Sequence, residues 1–446
     1  MIAVGSENEP FTSLADALAL LEEAVSPLAG IVTRVTAFTG ATDETRLPNA
    51  TSEVASIRRL YGNASTPTGD GAHPDPLRAR AAAIGEALER YSGLYVPTER
   101  LRLTTARALG PAAVPPSRFA LFHPAQHDDP QFPFVPFTED TETHFVEGIS
   151  LGNGERAYLP AQLVFMCPPR AAAGQIGYAT SSGLACAATF AEATLAALLE
   201  LVERDAVMLA WRCRLSLPLL EWGGDDAMEE LERRYFRVPG LSYTVLDGSG
   251  FLDVPVAIGV LRGAPTSGAA LAVGAGSAAR PRDAWLKALS ECFGVRGWLI
   301  VQSVLHPDRP PCSADAVETF DDHMLFYAGG DHAELARFLD ASTERTRIDD
   351  VPCLQGSAPH EQVDALVSRL LRRRVTAYAI DVTAPDVSEL GLTVVRVVAP
   401  ELCQLDVLHR ARYLGGARLF EAAHEIGLLS EKPDLSDLNP LPHPFP

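Results

Sequence analysis

Residues 181–212 read SSGLACAATFAEATLAALLELVERDAVMLAWR. At 3.6 residues per turn, Leu195, Leu198, Leu199, Val202 and Ala206 form an apolar stripe, which predicts a core-facing helix. The acidic residues of the stretch share one side. At about 100° per residue, Glu192, Glu200 and Glu203 fall within roughly 80° of one another, and Glu192 and Glu203 are about 20° apart. Arg204 stands beside them, and the turn at Gly183 leaves the helix an amide-rich start. Carboxylates in one column repel unless a positive group lies between them. Taken alone, the stretch is either a cation-binding face or a solvated acidic face tied down by Arg204.

Two further stretches repeat the pattern. Arg78–Ser92, RARAAAIGEALERYS, is an alanine-rich helix with Glu86, Glu89 and Arg90 at i, i+3 and i+4, which puts them on one face. Trp285–Trp298, WLKALSECFGVRGW, sets Lys287 and Glu291 at i and i+4, with Arg296 beyond. Three helices thus carry carboxylate plus cation on otherwise Ala/Leu-rich surfaces. Many carboxylates suit a hard divalent ion such as Mg2+, which takes oxygen ligands and bridges to phosphate. The cations would then meet phosphate oxygens.

Several motifs, in order, resemble the YcaO family, and within it the azoline-forming cyclodehydratases of ribosomal-peptide biosynthesis. They are GEALERYSG (85–93), SSGLA (181–185) with LLELVERDA (198–206), DDHMLFYA (321–328), AIDVTAPDV (379–387) with VVRVVAPEL (394–402), ARYLGGAR (411–418) and the closing LNPLPHPFP (438–446). The resemblance covers most of the chain. It implies a mixed α/β (α+β) fold around an ATP site without a P-loop, and one catalytic unit over 1–446, with a signature core of about 77–418 and a Pro-rich tail over 432–446. It implies Mg2+ on Glu86, Glu89, Glu192, Glu203 and Glu291, and ATP contacts from Arg90, Glu200, Arg204 and Lys287. It further implies a catalytic role for Pro446 at the end of a tail that reaches toward the site. Composition alone reads residues 432–446, with five prolines, as a solvated polyproline tail.

The implied reaction is ATP-driven backbone chemistry on a precursor peptide. A Cys, Ser or Thr side chain attacks the preceding amide carbonyl, the oxyanion takes the γ-phosphoryl group, and phosphate leaves to give an azoline. A thioamide- or amidine-forming enzyme and a non-catalytic scaffold of a peptide-modifying complex are the alternatives. The scaffold is motivated by departures from the family pattern at Ala82, Ala188 and Gly294, and by GDGAHPDP (69–76), which lacks the lysine the family usually has there. His73 in that segment is a candidate to compensate. Every carboxylate is retained, which favours an active enzyme. With no leader-binding module evident at the front, a separate ubiquitin-activating-enzyme-like (ThiF-like) partner is expected to deliver the precursor; a homodimer is left open.

Composition sets bounds on these readings. A length of 446 residues allows a large core, and 47% hydrophobic with 21% charged residues is the balance of a folded soluble protein. A net charge of −20 argues against a phosphate-backbone partner. Seven widely spaced cysteines with no CxxC argue against structural zinc and a disulfide framework. No secretory signal and no membrane-spanning stretch is evident, so the protein is expected in the cytoplasm.

The remaining elements follow from periodicity. Residues 13–25 predict a capped helix, 31–38 a strand, and 40–76 a polar, turn-rich loop. Residues 97–140 predict an extended wrapping segment. His144–Leu151 and Arg156–Phe165, joined at Gly152-Asn153-Gly154, predict a hairpin. Strands are expected at 242–247, 254–260, 269–273, 376–382 and 393–398, and helices at 331–339 and 364–373. Asp381, Thr383, Asp386 and Arg396 match the family and are read as structural. Residues 274–279 fit GxGxxA, but no acidic residue closes a second strand as a dinucleotide site needs, so a tight turn before a helix is expected. The likeness of ALERYS (87–92) to LVERDA (201–206) hints at an internal duplication.

Overall fold

The computed structural model describes residues 10–40, 44–58, 66–306 and 313–446. The readings that touch residues 1–9, 41–43, 59–65 and 307–312, with Cys312, lie outside the described residues. Three sheets make up the framework. Strands β1 (Val32–Phe38), β2 (Asn49–Val54) and β3 (Thr68–Ala72) form an antiparallel sheet in that order. A second sheet runs β11-β10-β9-β8-β12, with β8 Leu219–Glu221, β9 Ser242–Asp247, β10 Val256–Arg262, β11 Leu271–Ser277 and β12 Arg345–Arg347. The third runs β4-β5-β13-β14-β7, where β4 is Arg102–Thr104, β5 Thr143–Ser150, β7 Leu184–Ala187, β13 Tyr378–Asp381 and β14 Thr393–Val398. Strand β6 (Arg156–Pro160) completes the expected hairpin with β5.

Helix α2 (Pro76–Leu94) packs on the first sheet with α1 (Leu14–Glu23) against it, and α4 (Pro281–Leu305) packs on the second. Helix α3 (Phe190–Arg212) touches β7 and β14 of the third sheet and β10 and β11 of the second. Burial on α3 goes beyond the expected apolar stripe and extends round nearly its whole circumference between Ala193 and Arg212, taking in Glu203, Asp205 and Arg212. A helix buried on all sides needs apolar residues on all sides, and its few charged groups must then find partners inside the molecule. That mixed α/β arrangement agrees with the fold class expected from the sequence.

Glycine explains two differences from the sequence reading. The segment 40–76 holds β2 and β3 rather than a loop alone, and 274–277 lies in β11 rather than in a turn. A Cβ on Gly69 would meet Ala83 O at 2.1 Å, and one on Gly71 would meet Ala79 O at 2.1 Å. A Cβ on Gly276 would meet Ala284 O at 2.3 Å, and one on Gly274 Cys292 N at 2.6 Å. Each glycine therefore buys close approach of strand to helix, not a turn. Gly69, Gly71, Pro76, Ala79, Ala83 and Glu86 are matched at one constant offset by Gly274, Gly276, Pro281, Ala284, Ala288 and Glu291. This repeat joins β3–α2 to β11–α4, a different pair from the α2–α3 duplication that ALERYS and LVERDA hinted at.

The tail departs most from composition. Phe445 and His443 are fully buried and Asn439 nearly so. Residues 438–446 lie in a groove made by the end of α3, the helix α5 (Phe320–Phe326) and the loop around 406–412.

Candidate functional site

Close strand–helix packing brings each helix carboxylate within reach of a strand amide. Asp70 N donates to Glu86 Oε2 at 2.5 Å, and Ala275 N donates to Glu291 Oε2 at 2.5 Å. From α3, Glu200 Oε2 accepts Gly183 N at 3.0 Å and Glu203 Oε2 accepts Ser277 N at 2.9 Å. Four carboxylates from three helices are thus fixed by main-chain amides, which lowers the rotamer entropy left to lose when a ligand arrives.

The cations lie between them. Arg90 Nη2 is 2.6 Å from Glu86, and Lys287 Nζ is 2.9 Å from Glu203. Arg204 bridges two acids of its own helix, 3.6 Å from Glu200 and 3.7 Å from Glu203. Arg396, buried on β14, donates to the carbonyls of Val164 and Thr180, at 2.8 and 2.6 Å, and to that of Ser182. Its charge also faces Glu200 and Glu89.

The acids still outweigh their partners. Desolvation, then Glu200 and Glu86, push the Glu89 carboxyl well above the usual range. Desolvation lifts Glu291 to about 7 despite Arg204. For Glu203 burial works upward, but Lys287 and Arg204 together pull it below the ordinary value. Such crowding is relieved by a divalent cation among the carboxylates. Two buried polar atoms at the same place, Arg204 Nε and Ser277 Oγ, have no hydrogen-bond partner among the described residues. The donor set and these two atoms fit a metal–phosphate group.

The structure thus brings together Glu86, Glu89, Arg90, Glu200, Glu203, Arg204, Lys287 and Glu291. Glu192 stands apart: it lies eight residues before Glu200, about 12 Å along the axis. Its oxygens accept Thr12 N at 2.6 Å, Thr12 Oγ1 at 3.0 Å and Thr189 Oγ1 at 3.1 Å. Pro446 arrives at the edge of the site, its main-chain oxygen 3.5 Å from Arg204 Nη1. His73 Nδ1 accepts Asp75 N at 2.9 Å, a turn contact at the start of α2.

Sequence reasoning missed Ser277, while Arg396, read as structural, ties three carbonyls to β14. A lone arginine inside the apolar strand VVRVV needs such partners, since an interior charge must be satisfied. Asp381 and Thr383 do make a local turn, with Thr383 Oγ1 2.6 Å from Asp381 Oδ1, and Asp386 accepts Tyr91 Oη at 2.7 Å. Asp205, next to Arg204, holds Arg418 at 2.7 Å and ties ARYLGGAR to α3.

Among the described residues, one other cluster gathers candidate ligand atoms: His323, Asp406 and His443, all within 4.8 Å and buried. The two rings are stacked 3.9 Å apart at 14°, so their in-plane lone pairs run in nearly parallel planes and do not converge. Both His323 nitrogens face carbonyls at 3.0 Å, and Arg212 holds Asp406 at 2.7 Å. This is the geometry of a tail anchor.

A family model described as YcaO cyclodehydratase, ATP- and Mg2+-binding, matches residues 69–403. No curated protein matches the chain. Among solved structures, a heterocyclase in complex with substrate and cofactor aligns with a TM-score of 0.78 at 24% identity, over 99% of this chain and 59% of that one. The heterocyclase TruD aligns at 0.71 and 22% identity, over 99% of this chain and 55% of that one. YcaO from Methanopyrus kandleri bound with AMPPCP and Mg2+ aligns at 0.60 and 20% identity, over 86% and 89%. The chain therefore spans less than two thirds of the two heterocyclases' length, and these likenesses establish the fold. The family match covers well over half of the chain: it belongs to the YcaO family.

Proposed function

We propose that this YcaO-family chain is an ATP- and Mg2+-dependent cyclodehydratase that converts Cys, Ser or Thr of a precursor peptide to azolines. The convergence of α2, α3 and α4 carboxylates with Arg90, Arg204 and Lys287, in a chain without a P-loop, carries this reading. Glu86, Glu89, Glu203 and Glu291 would hold Mg2+, Glu192 would be a further Mg2+ ligand at the start of α3, apart from these four, and Glu200 would orient the nucleotide. The metal, when bound, offsets the negative charge of the triphosphate.

Amide oxygen is a poor leaving group, and phosphorylation turns it into a good one. The peptide's side chain adds to the preceding carbonyl and gives up its proton, that oxygen takes the γ-phosphoryl group with ADP as the leaving group, and phosphate departs as the amide nitrogen loses its proton and the ring's C=N bond forms. Arg90, Arg204 and Lys287 face the phosphoryl oxygens, where preorganised cations act at low reorganisation cost. Pro446 supplies the acceptor oxygen beside Arg204 that orients the attacking group. We place the whole of 1–446 in one catalytic unit, its partner in a separate ThiF-like protein that delivers the precursor, and its setting in the cytoplasm; among the described residues no helix is long and apolar enough to cross a membrane.

Calorimetric titration with a non-hydrolysable ATP analogue and Mg2+ tests the reading. Wild-type protein is expected to bind, and Glu203→Gln to lose at least about 30-fold in affinity, the scale of one lost charged contact. No binding by the wild type, with precursor and candidate partner added, favours the scaffold instead.

A further inference from the structure

The second sheet is forked. Strand β9 pairs with β10 at every residue from Ser242 to Asp247, but with β8 at one position, Leu219↔Leu246. Strand β8 pairs instead along its whole length with β12. The main-chain groups of a strand point alternately to its two sides. Gly248 N donates to Val256 O on the β10 side, and Asp247 N donates to Pro218 O on the β8 side. The same alternation turns the N–H groups of Tyr243 and Val245 toward β8, where Leu219↔Leu246 is the one pair among the described residues.

The fork opens into a cleft of ≈ 640 Å³. Residues 219–222 form one wall and 242–245 the other, and the buried rings of Phe236 and Trp285 floor it. A π-helical turn, Glu232–Phe236, lays Phe236 on that floor, and such turns often accompany binding sites. Thr244 Oγ1, a buried atom of the lining, has no hydrogen-bond partner among the described residues. A rise of about 3.3 Å, a strand spacing of about 4.8 Å and a sheet spacing of about 10 Å give roughly 160 Å³ per strand residue. The cleft therefore has room for about four residues of extended chain, which matches the length of the free edge at 242–245.

Charge selects the occupant. Residues 221–232, at the mouth, carry six acidic residues and no basic one, and the whole chain carries −20. The rim pair Glu221–Arg345, at 2.9 Å, is about half exposed, so an incoming cation exchanges with it at little cost. Like charge works against a second copy of this chain. We propose that the gap between β8 and β9 is a docking site for an extended, basic segment of a partner polypeptide. The segment adds a strand to 242–245 and sets apolar side chains on Phe236 and Trp285, the mode of strand addition to an open edge. Trp285 lies two residues before Lys287, so the docked strand rests against the helix that supplies Lys287 and Glu291. The inference does not depend on the proposed function.

The test uses the full chain without nucleotide and a synthetic peptide, acetyl-Lys-Val-Thr-Val-Thr-Lys amide. A second peptide of the same sequence is N-methylated at its four central residues. Tryptophan fluorescence, to which Trp222 and Trp285 of the cleft contribute, follows each titration. The first peptide is expected to bind saturably and the N-methylated one at least about tenfold more weakly, because main-chain hydrogen bonds are lost. Exchanging the exposed Glu229 and Glu230 together for lysine should weaken binding by roughly tenfold at low salt, a difference that shrinks in about 0.5 M salt. Val238→Trp, which fills the cleft from its rim, should abolish binding; the two-peptide comparison on the unaltered chain stands whatever that variant does to folding. No saturation up to about 1 mM peptide, or equal affinity for both peptides, overturns the docking site. Self-association of the wild type that the peptide reverses makes a second copy the occupant and overturns the basic partner.

Discussion

The units β3–α2 and β11–α4 share a backbone device and differ in what it carries. Each has a Gly-x-Gly strand against an alanine-faced helix that begins with proline, and in each the strand's middle amide donates to a helix glutamate at 2.5 Å. At the same offset, Glu89 of the first unit corresponds to Gly294 of the second, and Ala82 to Lys287. The first unit carries two carboxylates and a following arginine. The second carries one carboxylate and a preceding lysine. Ala82 and Gly294, which read in sequence as lost contacts, are the positions at which the other unit is loaded. One scaffold used twice thus gives an acid-rich wall and a mixed wall, and α3 runs between them with Glu200, Glu203 and Arg204.

If the two walls are equivalent in packing, Gly71→Ala and Gly276→Ala should destabilise alike. Each new Cβ meets main chain at 2.1 and 2.3 Å, which only a shift of helix from strand relieves. The expected loss is about 3 kcal/mol each in urea unfolding, and a large difference between them breaks the equivalence. Next in size, Glu86→Gln and Glu291→Gln should each weaken Mg-nucleotide binding by roughly 30- to 100-fold, as the loss of a charged partner does; calorimetry on both variants compares the walls as ligand sources.

The pH dependence separates the walls further. Glu291 titrates at about 7 instead of 4.5, so the folded metal-free chain holds a proton there that the unfolded chain has released. That contribution to stability is present at low pH and fades as pH rises through 7. Metal needs the carboxylate, so Mg2+ affinity should rise about tenfold from pH 6 to 8, and Glu291→Gln should flatten that rise. The smallest effect is Gly294→Ala. A Cβ there meets nothing within 4 Å, so the helix should gain about 0.5–1 kcal/mol, read as a higher midpoint of thermal unfolding.

The three acidic helices were legible because charge and apolar spacing repeat at 3.6 residues. Strand β3 was not, because Gly-Asp-Gly carries turn propensity and its packing reason sits on a helix several residues further on. The buried state of the tail was hidden from composition for the same cause: its partners at 204–212, 323–327 and 412 are remote in sequence, and only the resemblance pointed the tail inward. The engagement of Glu192 by Thr12 joins residues 180 apart, which no local pattern reveals.

The bond between Arg204 and Pro446 spans 242 residues. At about 5–20 residues per second, a ribosome needs roughly 12–50 s to travel that distance. Helix α3 and its carboxylates therefore emerge well before the strand that completes their surroundings. The contact at Arg204 therefore cannot form until that remote strand has been made, so the surroundings of α3 are assembled in two stages separated by the synthesis of the chain between them.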